Sequence, residues 1–409
     1  MFSKDSFRVS QANGSSPPIV EFVALMALLT SLVALSIDAM LPALPMIGRD
    51  LGALERNDHQ LVISAFFFGF AVGQVFYGPV SDSVGRKPLI YVGLFLFLAG
   101  CLMSILAPDF EWMLAGRLLQ GIGVAGPRSV TLALIRDRFA GRAMARIMSF
   151  IMAVFILVPV LAPAIGQGIL LFAGWEMIFW LFVGLATASV AWFSLRQPET
   201  LPVELRTPWS LARVGSAVLQ TFRNRAAFGY MITAGFVFGG FVGYLNSAQQ
   251  IFQEQYALGV MFPVTFGILS LGIGAASVVN ARLVMRFGMR FLTMRALVAV
   301  TLLSIAYFLG AALAAGHPPL WSLMAYCMAV FFCMGLLFGN LNALAMEPLG
   351  HVAGVGAAMV GSLTTLMSAV LGTAIGQAYD GTVLPLVGGF GLCCGVAIVT
   401  MRWADRHHP

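Results

Sequence analysis

Twelve runs of roughly 20 mostly apolar residues follow one another along the chain, parted by short polar breaks. They fall near 20–45, 58–79, 88–107, 112–135, 147–171 and 176–195, then 226–250, 264–286, 291–313, 320–345, 353–377 and 383–402. Each is long enough to cross a bilayer. Hydrocarbon offers the backbone no hydrogen bonds, so a crossing segment must be a helix or part of a closed barrel; the alternation of a barrel strand is absent, and helices are expected. A chain 59% hydrophobic and only 10% charged has more apolar surface than a soluble core needs. The first run is too long for a cleavable signal and has no small-residue cleavage site, and residues 1–18 read as a disordered polar tail.

Orientation follows from the basic residues. If the termini lie inside, the inner segments hold Lys4, Arg8, Arg86, Lys87, Arg136, Arg138, Arg142, Arg146, Arg196, Arg206, Arg213, Arg223, Arg225, Arg282, Arg286, Arg290, Arg295, Arg402 and Arg406. The outer segments hold only Arg49 and Arg56. Such a bias places both termini in the cytoplasm. It also argues against a nucleic-acid partner, because the net charge of +6 is spread over many breaks rather than gathered in one patch.

One break is long. Residues 196–225 begin with a helix stop, Arg196-Gln-Pro-Glu-Thr-Leu-Pro202, and continue from Trp209 to Phe222 with apolar residues at helical spacing, as in an amphipathic helix on the inner membrane face. The expected organisation is a tail (1–18), a six-helix bundle (19–195), this linker, a second six-helix bundle (226–402) and a short tail (403–409). The fold class is therefore an all-α membrane protein of twelve transmembrane helices in two six-helix bundles, related as a parallel repeat. Gly78-Pro-Val-Ser-Asp82-Ser-Val-Gly85-Arg86-Lys87-Pro88 reads as a membrane-surface turn between runs two and three. Arg282-Leu-Val-Met-Arg-Phe-Gly288-Met-Arg290 is its faded copy between runs eight and nine, with Met285 where the first copy has Asp82.

Charges within apolar runs cost about 2.5–3.5 kcal/mol each on the lenient insertion scales, and so mark function. Three stand out: Asp38 in run one, and Arg117 and Arg128 in run four. Counting inward from the outer helix ends puts Asp38 and Arg117 at similar depth, where they pair if their helices adjoin. A carboxylate poised between a cationic partner and apolar burial can load and release a proton. The bland alternative is an ion pair that only keeps two helices in register. Arg128 follows Arg117 by eleven residues and shares its face. It either attracts an anionic or strongly polar part of a substrate, gives Asp38 a second docking point, or reaches back to the inner surface.

The Gly78–Pro88 stretch resembles the loop between helices two and three of the major facilitator superfamily, with Ser83 where a base is usual. The resemblance implies the major facilitator fold and a conformational latch built from Gly78, Asp82, Gly85, Arg86 and Lys87; a basic turn that only anchors topology is the alternative. Asp38 followed by Leu41-Pro-Ala-Leu-Pro45, and Arg117-Leu-Leu-Gln120-Gly-Ile-Gly123, look like the Bcr/CflA branch of drug/proton antiporters. Pro198-Glu-Thr-Leu201 and His351-Val-Ala-Gly354 fit as well. The resemblance implies proton coupling through Asp38 and Arg117. Pro159, Pro163 and Gly166 stand where such antiporters carry a glycine- and proline-rich motif in helix five, here with two of its glycines replaced; an ordinary kinked helix is the other reading.

The expected substrate contacts are Asp38, Arg128, Gln120, Phe66 and Phe70 from the first half and Tyr244, Gln249 and Asn340 from the second. An aromatic-walled cavity with a few amides suits small amphipathic organic molecules, antimicrobials among them. No phosphate-binding loop, nucleophile triad or metal-ligand spacing is visible, so neither cofactor, metal nor enzymatic activity is expected, and protons are the coupling ion. Cys101, Cys327, Cys333, Cys393 and Cys394 lie in apolar runs and read as small hydrophobes. The expected protein is a monomer in the bacterial inner membrane that exports such molecules in exchange for protons. The rivals are a proton-coupled transporter of one metabolite, a passive facilitator, and a membrane scaffold or sensor.

Overall fold

The computed structural model describes residues 17–206 and 210–406. Twelve of its helices are long and apolar enough to cross a membrane. In chain order they are α1 (Ile19–Asp38), α2 (Leu61–Val84), α3 (Arg86–Ile105), α4 (Phe110–Arg138), α5 (Gly141–Leu170) and α6 (Glu176–Arg196), then α7 (Arg225–Gln249), α8 (Phe262–Phe287), α9 (Met289–Leu313), α10 (Leu320–Met346), α11 (Ala353–Gln377) and α12 (Leu384–Asp405). A further helix, Leu211–Arg223, lies between α6 and α7, on the stretch read as amphipathic; Trp209 is outside the described residues.

The two sets of six pack alike. Within the first, α1 lies on α5, α2 and α3 on α4, and α3 on α6; within the second, α7 lies on α11, α8 and α9 on α10, and α9 on α12. The halves meet along α2–α11 and α5–α8. Lipid gives apolar side chains no reason to leave it for one another, so close packing depends on small residues that let backbones approach. Here α4 shows how. A Cβ at Gly121 would lie 2.1 Å from the Phe66 carbonyl oxygen of α2, and one at Gly123 would lie 2.3 Å from the Phe97 amide nitrogen of α3.

Two boundaries differ from the sequence reading. The first run is not one helix to residue 45. It stops at Asp38, passes through a 3-10 turn (Leu41–Ala43) and resumes as Leu44–Asp50, because Pro42 and Pro45 supply no backbone donors. The Gly78–Pro88 stretch is not an extended turn: α2 runs through Pro79 to Val84, and the reversal happens at Gly85 alone, at φ 118°. That angle favours glycine because a Cβ is strained there. The fifth run is one helix, with Pro159 and Pro163 inside α5.

The basic residues gather at one end of the bundle, called here the basic end. Arg86 Nε donates to Asp137 Oδ2 of α4 at 2.9 Å, and Arg86 also pairs with Asp82. Arg196 Nε and Nη2 reach Glu21 Oε1 and Oε2 at 2.6 and 2.8 Å, closing α6 onto α1; this acid is paired, not simply solvated.

Candidate functional site: a buried acid, two arginines and a sealed end

Helix α1 ends at Asp38, and the ending frees a carbonyl. Met40 N–H turns to Ile37 O (3.3 Å), so Ser36 O has no backbone partner one turn on. Arg117 Nη2 takes that carbonyl at 2.9 Å, its Nε donates to Val62 O of α2 at 3.1 Å, and its Nη1 to Gln120 Oε1 at 2.7 Å. Gln120 Nε2 in turn donates to Gly100 O and Ser104 Oγ of α3, at 3.0 and 2.9 Å. The Phe66 ring covers the guanidinium at 4.7 Å and Phe179 at 5.9 Å. Arg117 is fully enclosed, bonded to backbone and amide oxygens of α1, α2 and α4.

Asp38 is 4% exposed, yet among the described residues it forms no ion pair with Arg117 or any other base. The depth match of the sequence reading holds, since Arg117 reaches a residue of the same helix turn; the pairing does not form in this conformation. Two residues separate Ser36 from Asp38, a rotation of about 200°, which turns the carboxyl to the other side of the helix end. On that side, the Leu41–Ala43 turn that follows it packs on α7, which carries Tyr244. The Tyr244 hydroxyl is itself buried without a hydrogen-bond partner among the described residues. Beside Asp38, Gly166 of α5 sits so close to α1 that a Cβ would meet Ala39 O at 2.0 Å. That is the physical role of the glycine retained in the helix-five motif.

Arg128 is placed differently from Arg117. It is half-buried, its guanidinium lies over the Phe155 ring of α5 at 5.5 Å, and no carboxylate lies within ion-pair distance among the described residues. The helices α2 and α5 both touch the second half, and α4 packs on α2 and α1, so the α4 face between those contacts looks into the space between the halves. Arg128 and Leu132, the latter 40% exposed, lie on that face. A second docking point for Asp38 does not fit: Arg128 is eleven residues, about 16 Å along the axis, from Arg117 and hence from the level of Asp38.

The other expected contact residues are dispersed. Gln120 faces α3 and is fully buried, and Phe66 is spent on Arg117. Phe70 is half-buried and stacks on Phe66. Tyr244 belongs to a cluster with Phe331 (4.6 Å), Phe266 (5.7 Å) and Phe252 (6.4 Å) that continues through Phe241 to Phe338 and Phe238. Asn340 exchanges hydrogen bonds with Asn280 of α8, 3.0 Å each way. Gln249 lies nearer the end opposite the basic one, bonded to Gln253 at 3.2 Å.

That far end is sealed by polar groups missed from sequence. Asn57 Nδ2 donates to Gln377 O (3.0 Å) and Tyr379 O (2.9 Å), and Gln377 Nε2 returns a bond to Asn57 O at 3.0 Å. Gln250 Nε2 donates to Asn57 Oδ1 at 2.8 Å and pairs with Gln60, and Arg56 meets Glu254 at 3.3 Å. Burial pushes the Tyr379 phenol up to about 12, which keeps it neutral. Amides near helix ends carry no periodic signal, so only their clustering at 57–60 and 249–255 could have hinted at a seal.

At the basic end, Glu199 was read only as part of the Pro198–Leu201 resemblance. Its Oε1 and Oε2 accept from the Arg86 and Lys87 amides, both at 3.0 Å, and so cap α3. Lys87 Nζ reaches Gln197 O (2.8 Å) and Ser194 O (3.2 Å) at the end of α6. The residues Asp82, Gly85, Arg86 and Lys87 therefore share one polar cluster with Glu199 and Asp137. Gly78 sits against α11, where a Cβ would lie 3.4 Å from the Ala358 methyl. In the second half no acid stands at Met285, but Asp405 at the end of α12 accepts from the Tyr230 hydroxyl.

Among the described residues no group of His, Cys, Asp or Glu is arranged to hold a metal, and all five cysteines are free. Two grooves, about 600 Å³ between α9 and α10 and about 540 Å³ between α9 and α12, are almost wholly apolar and include none of Asp38, Arg117 and Arg128.

Residues 26–373 match the Major Facilitator Superfamily. The Uncharacterized MFS-type transporter YdgK of Bacillus subtilis strain 168 is 31% identical over 363 residues, 86% of this chain and 87% of that one. The Bicyclomycin resistance protein homolog of Haemophilus influenzae is 29% identical over 387 residues, 92% and 94% of the two chains. Among solved structures, the human organic anion transporter MFSD10 superposes with a TM-score of 0.72 at 19% identity, over 95% of this chain and all of that one, which shows the shared fold. The chain belongs to the major facilitator superfamily, with relatives of the Bcr/CflA drug-antiporter type.

Proposed function

We propose that the protein exports small organic, drug-like molecules across the bacterial inner membrane in exchange for protons, with both termini and the basic end in the cytoplasm. The bias of Lys and Arg toward that end supports the orientation. The printed names of two relatives, a bicyclomycin resistance homologue and Multidrug resistance protein D of Escherichia coli, support the substrate class.

The observation that carries the reading is Asp38: a carboxyl 4% exposed, at a helix break on the membrane-crossing path, with no basic partner among the described residues. An unpaired charge in such a place is expensive, and taking up a proton removes it. In the conformation sealed at the far end the acid is held as the neutral group. Opening of the far end lets the acid take up a proton from outside, and substrate entering from the basic end drives its release to the cytoplasm, so protons move inward as substrate moves out. Arg117 would not release Asp38 in this cycle; it fixes the geometry of the α1 end by holding Ser36 O. Substrate and proton then alternate because each favours a different arrangement of the same helix end.

The test is uptake by everted vesicles energised with a proton gradient, using a phenicol and a cationic dye. Asp38→Asn is expected to abolish uphill transport while leaving the protein folded. Undiminished uphill export by that variant would refute the coupling role.

A further inference from the structure

We propose that Arg128 is the docking point for an anionic group, a carboxylate or sulfonate, on the transported molecule. The aromatic part of that molecule would lie between Phe155 and the ring wall of the second half. This deepens the export reading above and rests on it.

Three arginines of the first half allow a comparison. Arg86 is neutralised by Asp82 and Asp137. Arg117 is bonded by each of its three nitrogens to carbonyl or amide oxygens. Arg128 has neither kind of partner among the described residues, only the face of Phe155 at 5.5 Å. A ring face attracts a guanidinium but offers it no acceptor for five N–H donors.

Nothing among the described residues supplies the missing charge. Every described acid except Asp38 lies within a turn of a helix end or in a connection. The helices around the site, α1, α2 and α5, carry no acid at the depth of Arg128. The inner surface is out of reach as well, because ten residues, about 15 Å, separate Arg128 from Arg138 at the end of α4. The counter-charge must come from what enters the cavity.

The chemistry of the occupant follows from the surroundings. A planar fork of donors matches a carboxylate or sulfonate with two parallel bonds. Phe238 and Phe338 stack at 4.3 Å, and Phe241 meets Phe338 at 5.4 Å. Counted from the basic ends of α7 and α10, these rings lie about 12–24 Å deep, a range that includes Arg128 at about 15 Å. At about 16 Å and an effective dielectric near 20, an anion at Arg128 changes proton binding at Asp38 by only roughly sixfold. Charge alone therefore couples anion and proton loading only modestly, and stronger coupling would run through the alternation of the helices.

The experiment uses the full chain in lipid nanodiscs and two probes that differ in one group, 4-biphenylacetate and 4-biphenylacetamide, with binding measured by equilibrium dialysis against empty nanodiscs. The wild type is expected to prefer the carboxylate at least tenfold. Arg128→Gln should erase the preference, and Arg128→Lys should keep part of it, since an ammonium still pairs as a point charge. A wild type without preference overturns the proposal whether or not a variant folds, as does an unchanged preference in Arg128→Gln. Uptake of both probes by energised everted vesicles, with and without an uncoupler, tests the export reading separately. An intact charge preference without uncoupler-sensitive uptake sinks that reading and leaves the anion site standing. Uncoupler-sensitive uptake without charge preference does the reverse.

Discussion

Replacing Gly121 by alanine adds one methyl group where the fold has no room. Its Cβ would lie 2.1 Å from Phe66 O and 2.7 Å from Phe70 N, both backbone atoms of α2. Ordinary contact begins at 3.4 Å, so α4 must retreat by about 1.3 Å. Flexible side-chain ends can swing away from such a clash, but a helix backbone cannot, so the cost should fall at the upper end of the about 1–3 kcal/mol typical of overpacking. The retreat also has a functional reading. Arg117 Nε is 3.1 Å from Val62 O, and a shift of that size takes it out of hydrogen-bond range. Gly184→Ala is the control. Nothing lies within 4 Å of its Cβ position, and it carries the same gain in helix propensity, about 1 kcal/mol at most. The two variants are compared by unfolding in mixed micelles, followed by far-ultraviolet circular dichroism, and by drug efflux. Gly121→Ala should unfold at lower denaturant and lose transport, with Gly184→Ala at or above the wild type. Equal midpoints for the two would show that the α2–α4 approach is not tight, and the packing argument would fail with it.

The Glu199 cap predicts that Glu199→Ala lowers stability by about 1–2 kcal/mol, because two α3 amides lose a charged acceptor; a thermal scan in detergent checks it, and no shift in midpoint would mean that water replaces the carboxylate without loss. Asn57→Ala removes bonds to Gln377, Tyr379 and Gln250 at once, so the far end should spend more time open. A cysteine placed at Ser64 should then react faster with an impermeant maleimide added from outside, and an unchanged rate would place the seal elsewhere. Asp38→Asn and Arg128→Gln, argued above, divide the remaining chemistry between proton and substrate.

Some of this was legible in the sequence and some was not, for physical reasons. The twelve helices were legible because hydrocarbon leaves a spanning backbone few options, and Leu, Val, Phe and Ala report it directly. The Arg117-x-x-Gln120-Gly-x-Gly123 stretch was legible as a unit, and its spacing explains itself: positions 117 and 120 build the network, and 121 and 123 let α2 and α3 come close enough to accept it. Partners were harder. An ion pair between Asp38 and Arg117 was the natural expectation from equal depth. Depth, however, says nothing about rotation around the axis, and the helix end at residue 38 supplied a competing acceptor in Ser36 O. Asp137 went unread, and Glu199 was read only as part of the Pro198–Leu201 resemblance, because each lies in a basic, loop-like stretch where an acid looks solvated. The sequence Arg136-Asp137-Arg138 did contain a signal, an acid among bases at a helix end, and Asp137 proves to be one of the two counter-charges of Arg86.

The two arginines of α4 lead to a more general point about charge in this fold. They share a helix and nearly a face, yet one is closed off by oxygens and the other is open. Arg117 lies level with the break in α1, where a freed carbonyl, a glutamine one turn away and two rings can satisfy and cover it. Arg128 lies about three turns nearer the basic end, against α5, where Pro159 leaves the Phe155 carbonyl without a backbone donor, yet among the described residues the guanidinium bonds to no oxygen and only covers the Phe155 ring. Regular helices cannot neutralise a side chain; only breaks, caps and other side chains can. A charge that finds no acceptor on the helices around it therefore has to be answered by the contents of the cavity. The same logic separates Asp38, at a break yet unanswered by any base, from Asp82, answered by Arg86 at the end of α2. An acid left unanswered beside a movable helix end is positioned to exchange its proton when that end moves, whereas the answered one is positioned to hold.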